Sequence, residues 1–132
     1  KFKIENLKLE NRIVFLSKLS EEELIALYQN AELFILLPQD SNKDIEGFGL
    51  IFLEAAAAGL PVVASLGTSA EDAVQDRRNG FLVNSSDIDG VASAVKEILF
   101  NSKLKTTMSD NSIIFARSMT WEGVAAEYCS LY

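Results

Sequence analysis

The residues best placed to do chemistry are two glutamates, Glu46 and Glu54, separated by seven residues that include Gly47-Phe48-Gly49. Between Glu46 and Glu71 the only charged side chain is Glu54, which runs on into Ala55-Ala56-Ala57-Ala58-Gly59-Leu60-Pro61. A helix starting near Gly49 is apolar all round except for that acid, a pattern that predicts a buried helix. Burying a carboxylate without partners is costly, so Glu54 is expected to meet donors: backbone groups, a basic side chain or the hydroxyls of a ligand.

The two glycines let the backbone turn sharply and approach another molecule closely. The amides of Gly47, Phe48, Gly49 and Leu50 then sit at a helix N-terminus, where the positive end of the dipole suits phosphate. Glu54, about one and a half turns further on, can offer two acceptor oxygens to a vicinal diol such as a ribose. The stretch therefore reads as phosphate at the turn, a diol beside it and a polar group held by Glu46.

Taken in order, Glu46 and Glu54, the Gly-Phe-Gly after the first acid and the following Glu-Ala-Ala-Ala-Ala-Gly-Leu-Pro-Val-Val-Ala-Ser closely resemble the donor-binding half of retaining glycosyltransferases of family 4, which have the GT-B fold. The resemblance extends from Asn11-Arg12-Ile13-Val14-Phe15-Leu16 to the closing stretch Trp121 to Tyr132. It implies an α/β chain, a Rossmann-like parallel sheet with helices on both faces, in which residues 1–132 are the incomplete C-terminal half of a GT-B fold. The donor, a nucleotide diphosphate sugar, is then a substrate held by this domain. The sugar, lipid or glycan acceptor binds a separate N-terminal domain, which would also carry any peripheral association with a membrane.

By the same resemblance Glu46 is the catalytic residue and contacts the hydroxyls of the transferred sugar. Gly47 belongs to the turn, the amides of Phe48, Gly49 and Leu50 meet sugar and diphosphate, and Glu54 holds the ribose diol. The base lies near Lys18 and Leu19. No metal and no other cofactor is implied. The chain departs from the family's pattern at Thr68-Ser69, where a Gly-Gly pair is common, and at Glu71-Asp72, where Pro-Glu or Pro-Asp is common. The basic pair expected to bind diphosphate would lie upstream of Lys1.

Composition narrows the alternatives. A formal net charge of -7, with 12 basic residues against 19 acidic ones, argues against a nucleic-acid surface, which needs a basic stripe. The chain contains no histidine and a single cysteine, Cys129, which removes Ser-His-Asp and Cys-His catalysis and any His-ligated zinc. A disulfide within the chain is impossible, which suits a reducing cytoplasm. The hydrophobic content of 48% is enough for a packed core, and 132 residues make one domain or part of one. The first residue is Lys1, which reads as a piece of a longer chain. The longest apolar stretch is broken by Glu54 and Gly59-Leu60-Pro61 and is too interrupted to span a bilayer.

The elements that must position the motif follow from periodicity and punctuation. Phe2 to Leu9 has helical spacing, and Arg12 to Ser17 reads as a buried strand. Ser20 and Glu23 form a capping box for a helix from Glu21 to Asn30 with Leu24, Leu27 and Tyr28 as its buried stripe. Leu33 to Leu37 is a strand stopped by Pro38, and Gln39 to Ile45 a polar loop leading into the motif. Gly59 caps the central helix and Pro61 prevents its continuation, making Val62 to Ser65 the next strand. Ser69 to Val74 reads as a helical turn and Gly80 to Val83 as a short strand. A helix from Ser86 or Asp87 carries Val91, Ala94, Val95, Ile98 and Leu99 on one face, and another spans Lys103 to Met119. Thr120 is placed to cap a last helix carrying Trp121, Val124, Ala125, Tyr128 and Leu131. Alternating short strands and amphipathic helices imply a parallel sheet covered on both faces.

Two motifs are set aside. Asp87-Ile88-Asp89 has the form of an Asp-x-Asp metal site, but it opens an amphipathic helix, where acids cap and complement the dipole. Asn84-Ser85-Ser86 matches a glycosylation acceptor that a cytoplasmic protein leaves unmodified. Lys103, Lys105 and Arg77-Arg78 read as solvated surface.

The expected function is retaining transfer of a sugar from a nucleotide diphosphate sugar, in bacterial-type glycan, lipopolysaccharide or glycolipid synthesis. The rival is a non-catalytic nucleotide-sugar-binding or assembly module of the same fold. A dehydrogenase is a poor third, because no Gly-x-Gly-x-x-Gly opens a strand-to-helix turn. In a doubly wound sheet ordered 3-2-1-4-5-6, Arg12 to Ser17 would be the third strand and Leu33 to Leu37 the fourth, without the two that join them. Residues 1–132 alone are therefore expected to be poorly stable, and a cooperative thermal transition of the isolated chain would count against that assignment.

Overall fold

In a computed structural model of the chain, residues 2–38, 49–120 and 123 are described. Among them the elements run α1 (Phe2–Asn6), α2 (Glu21–Asn30), β1 (Phe34–Leu36), α3 (Leu50–Ala57), β2 (Val62–Ser65), a 3-10 turn (Ser69–Asp72), β3 (Gly80–Val83), α4 (Ile88–Phe100) and α5 (Ser102–Ser118). The three strands form one parallel sheet in the order β1-β2-β3. Phe34 pairs with Val62 and Val62 with Gly80, so the three strands are in register from their first residues.

Because successive strand residues point to opposite faces, that register sorts the core into two layers. Phe34, Leu36, Val62, Ala64 and Leu82 face a cluster with Phe52 and Ala55 of α3, Tyr28 of α2 and Phe115 of α5. Leu33, Leu37, Val63, Phe81 and Val83 face Ala94 and Ile98 of α4 and Leu104 and Met108 of α5. Strand β2 is buried along its whole length, as its unbroken apolar run Val62-Val63-Ala64 requires. The expected α/β layout, a parallel sheet with helices on both faces, is thus observed.

The helix ends follow the sequence closely. Ser20 and Glu23 exchange side-chain and backbone hydrogen bonds in a full capping box for α2. Helix α3 stops in a Schellman motif. Gly59, at φ 79°, donates to the Ala56 carbonyl and Leu60 to the Ala55 carbonyl. Asp87 caps α4 through the Gly90 amide at 3.0 Å, the structural role expected for the Asp-x-Asp sequence. The Thr120 hydroxyl accepts from the Gly123 amide at 3.1 Å, while the helix expected from Trp121 to Tyr132 lies outside the described residues.

Three expectations are corrected. Arg12 to Ser17 is not a strand. It pairs with nothing among the described residues, and Val14, Phe15 and Leu16 stand 78%, 69% and 53% exposed. A β-branched and aromatic run states only a preference for a pleated, half-buried surface, and without a neighbouring ladder there is no strand. Along α2, Leu24 and Leu27 are 39% and 43% exposed, so Tyr28 alone of the expected stripe packs onto the core. Lys105 is not simply solvated: it is half-buried and pairs with Glu32, whereas Arg77 is exposed as expected, its guanidinium over the Phe81 ring at 5.7 Å.

The tightest constraint on the sheet is Gly80. A Cβ there would stand 2.1 Å from the Val62 carbonyl oxygen, a backbone atom in the central strand. Gly80→Ala is therefore expected to destabilise the protein by about 3 kcal/mol, read as a lowered midpoint in chemical denaturation of the full-length protein. An unchanged midpoint would mean that β2 and β3 can separate without loss.

Candidate functional site

The site is assembled at the carboxyl ends of the strands, where ligands of open α/β sheets collect. Helix α3 opens at Gly49, whose φ of 67° and ψ of 44° are left-handed. Only glycine adopts that conformation at no penalty, and here a side chain also has no room. A Cβ on Gly49 would stand 2.8 Å from Phe52 Cδ2 and 3.9 Å from the Ser69 carbonyl oxygen. The chain therefore turns into α3 directly over the buried Phe52 ring, with the loop after β2 beside it. The Phe52 amide returns to the Gly49 carbonyl at 2.8 Å, and Gly49 has no side chain with which to cap the helix start. The first turn of α3 carries no acidic residue, so nothing within the helix offsets the positive end of its dipole.

The loop after β2 is braced from within. Thr68 donates its hydroxyl to the Ser65 carbonyl at 3.0 Å and accepts from the Ala70 amide at 3.3 Å, while the Gly67 amide donates to the Glu71 carboxylate. The Thr68 and Glu71 side chains thus hold the loop's shape. At its foot the buried Ser65 hydroxyl has no hydrogen-bond partner among the described residues.

Glu54 differs from expectation. It is exposed, because α3 buries one face only: Phe52, Ala55 and Ala56 point inward, while Leu50, Ile51, Glu54 and Ala57 form an open stripe. An all-apolar composition does not require burial all round when small alanines supply the covered side. Glu54 does meet a donor: the Tyr28 hydroxyl of α2 donates to its Oε2 at 3.2 Å. Burial, the nearby Glu54 charge and that hydrogen bond all raise the Tyr28 pKa above its usual 10.0. The pair lies in a groove of about 360 Å³ between α2 and α3, lined also by Leu24, Ile25, Ala57 and Ala58.

Of the residues singled out in the sequence, the structure thus brings Leu50 and Glu54 onto one open stripe of α3, with half-buried Gly49 at the opening of the helix. Leu19 is half-buried between Lys18, at a φ of 57°, and the helix cap Ser20; the structure does not join it to that stripe. Glu46, Gly47 and Phe48 lie outside the described residues. Sequence reasoning did not assign Tyr28 a part in the site. Its position one turn after Leu24 and next to Leu27 marks it as a core residue, and only the packing of α2 against α3 reveals the contact. Among the described residues no group of three His, Cys, Asp or Glu side chains gathers to hold a metal.

Parallel strands covered by helices on both faces, with a glycine-opened helix beside their carboxyl edge, make a Rossmann-like α/β unit, and its likeness to solved glycosyltransferase structures identifies it as part of a GT-B fold. The chain belongs to the family Glycosyl transferases group 1, whose profile matches residues 1–114. It is 32% identical over 128 residues to the D-inositol 3-phosphate glycosyltransferase of Corynebacterium glutamicum, a match that covers 97% of this chain and 29% of that protein. Among solved structures, sucrose-phosphate synthase from Thermosynechococcus elongatus superposes with a TM-score of 0.81 at 26% identity, over 99% of this chain and 32% of that one. Anabaena HepE, in complex with UDP-glucose, does so with a TM-score of 0.76 at 25% identity, over 99% of this chain and 35% of that one. The chain thus spans about a third or less of the proteins it matches.

Gly49→Ala is expected to cost about 2 kcal/mol, from the left-handed backbone and the displaced Phe52 ring together. Denaturant unfolding of the full-length protein measures it, and a variant as stable as the parent would show that α3 can open without the left-handed turn.

Proposed function

We propose that residues 1–132 are the donor-binding part of a larger glycosyltransferase that moves a sugar from a nucleotide diphosphate sugar to an acceptor, with retention at the anomeric carbon. The observation that carries this reading is the open stripe of α3, where a glycine-opened helix start with no acid in its first turn leads onto the exposed Glu54 carboxylate. Family membership supports it, as does HepE, whose structure holds UDP-glucose.

In this reading the amides of Phe48, Gly49 and Leu50 meet the diphosphate and sugar, Glu54 accepts from the ribose diol, and the base lies toward Leu19. Glu46, with Gly47 beside it, holds hydroxyls of the transferred sugar. The bond between the anomeric carbon and the diphosphate oxygen breaks as the acceptor hydroxyl approaches from the same face. The acceptor's proton passes to the departing diphosphate oxygen, so no covalent nucleophile of the protein is needed. The protein's contribution is positioning, plus stabilisation of the leaving diphosphate by amides already oriented before reaction. The acceptor, a sugar, lipid or glycan in cytoplasmic glycan or glycolipid synthesis, would bind a separate N-terminal domain, the part that would meet any membrane surface. No helix among the described residues is long and apolar enough to cross one.

Calorimetric titration of the full-length protein with UDP, GDP and ADP, each free and as its glucose or mannose conjugate, tests the reading. One nucleotide is expected to bind in the micromolar range, and Glu54→Gln to weaken it about tenfold through the loss of a charge-assisted hydrogen bond. Binding of none by a folded protein would leave the non-catalytic module. Binding unaffected by the substitution would remove Glu54 from the diol.

A further inference from the structure

A carboxylate on an open helix face can turn about its side-chain bonds, and reading a diol requires that it be held. Within the described structure the group that holds Glu54 is Tyr28. The Tyr28 hydroxyl donates to Glu54 Oε2 at 3.2 Å across 26 residues of sequence. The tyrosine is fixed in turn. Its half-buried ring packs against Phe34 of β1 at 5.9 Å, and Phe34 meets Phe52 edge to face at 6.0 Å. Phe52 is fully buried and is the ring over which Gly49 turns. Three rings therefore connect the opening of α3 to the carboxylate on its open stripe.

We propose that Tyr28 is a positioning residue for the sugar of the nucleotide: its hydroxyl engages Oε2 of Glu54 and so presents the remaining acceptor sites of the carboxylate to the vicinal diol. The inference rests on the reading of Glu54 given above. An ionised carboxylate has about four lone-pair sites, so one bond from Tyr28 leaves enough to accept both hydroxyls of a diol. Tyr28 makes this bond only while protonated. A phenol holds its proton at neutral pH, and burial and the neighbouring Glu54 charge raise its pKa further. The groove that the two residues share, about 360 Å³ in volume, is open to solvent and so accessible to a ligand.

The experiment compares the affinity of full-length protein for the tightest-binding of UDP, GDP and ADP with that for its 2′-deoxy form. The wild type is expected to prefer the ribose form by about tenfold, from one lost hydrogen bond to a charged acceptor. Tyr28→Phe keeps the ring on Phe34 and is expected to cut that preference about threefold, raising KM for the donor while leaving kcat at saturation unchanged. Glu54→Gln is expected to reduce the preference further, and adding Tyr28→Phe to it to change nothing more, the signature of coupled groups. Tyr28→Leu, which also removes the hydroxyl and leaves the Glu54 carboxylate intact, is expected to act like Tyr28→Phe and serves as the test if that variant does not fold. If Glu54→Gln loses the preference while Tyr28→Phe, or Tyr28→Leu in its place, keeps it, Tyr28 is only a packing residue and the reading of Glu54 stands. If Glu54→Gln keeps it, or the wild type shows none, the reading of Glu54 falls and the role of Tyr28 with it.

Discussion

The burial of the Phe52 side chain is the constraint on which the rest of the arrangement depends. The ring is wholly inside, between the sheet and the start of α3, and it joins a cluster that includes Leu60, Val62, Ala64 and Val74. Full burial of such a side chain contributes about 2 to 3 kcal/mol, a sizeable share of the stability of a small domain. Its position dictates its neighbours. Directly above it only a residue without a Cβ fits, which makes Gly49 the opening of the helix, and beside it the edge of Phe34 aligns β1 with α3. One apolar contact thereby sets both the backbone turn that opens α3 and the orientation of the helix that carries Glu54.

Much of this was legible before any coordinates, and the legible parts share a cause. Caps and breakers act within a few residues, so Ser20 with Glu23, Gly59 before Pro61 and Asp87 before Gly90 each fixed an element end that the structure reproduces. Strands β2 and β3 were found to the residue because both lie inside the core and have partners on hand. What was misread depends on distant parts of the chain. Arg12 to Ser17 has strand composition but no ladder among the described residues, and the stripe on α2 narrows to Tyr28 because Leu24 and Leu27 meet too little to be covered. Burial is a property of what lies alongside, and periodicity reports only which residues would welcome it.

Glu54 illustrates the same limit within the site. The absence of other charges nearby pointed correctly to a residue with a partner and wrongly to a buried one. A poly-alanine run looks core-like by hydropathy, yet Ala57 sits exposed while Ala55 and Ala56 are covered, because alanine is tolerated on either side of a helix. The partner, Tyr28, is 26 residues away on another helix, and no local pattern encodes such a contact. The motif was therefore legible as a motif, while the means by which its carboxylate is held became visible only in three dimensions.

The two ends of the sheet treat their polar groups in opposite ways. At the amino edge nearly everything is consumed internally. The buried Ser112 hydroxyl lies within hydrogen-bond reach of the Leu60 and Asn79 carbonyls, at 2.8 Å and 3.3 Å, and Ser109 donates to the Gly59 carbonyl at 2.6 Å. The Asn79 side chain accepts from the Gln75 amide and donates to the Ala73 carbonyl. These bonds tie α5 to the last turn of α3 and to the starts of β2 and β3, fixing the far end of the helix that carries Glu54. At the carboxyl edge, among the described residues, no side chain caps the start of α3 and the buried Ser65 hydroxyl has no partner. An unmet buried hydroxyl costs about 1 to 3 kcal/mol, so folding stability alone does not favour it. A helix anchored by saturated polar contacts at its far end has its first turn held in a fixed position. Backbone amides placed in this way can stabilise a charged group without first having to rearrange.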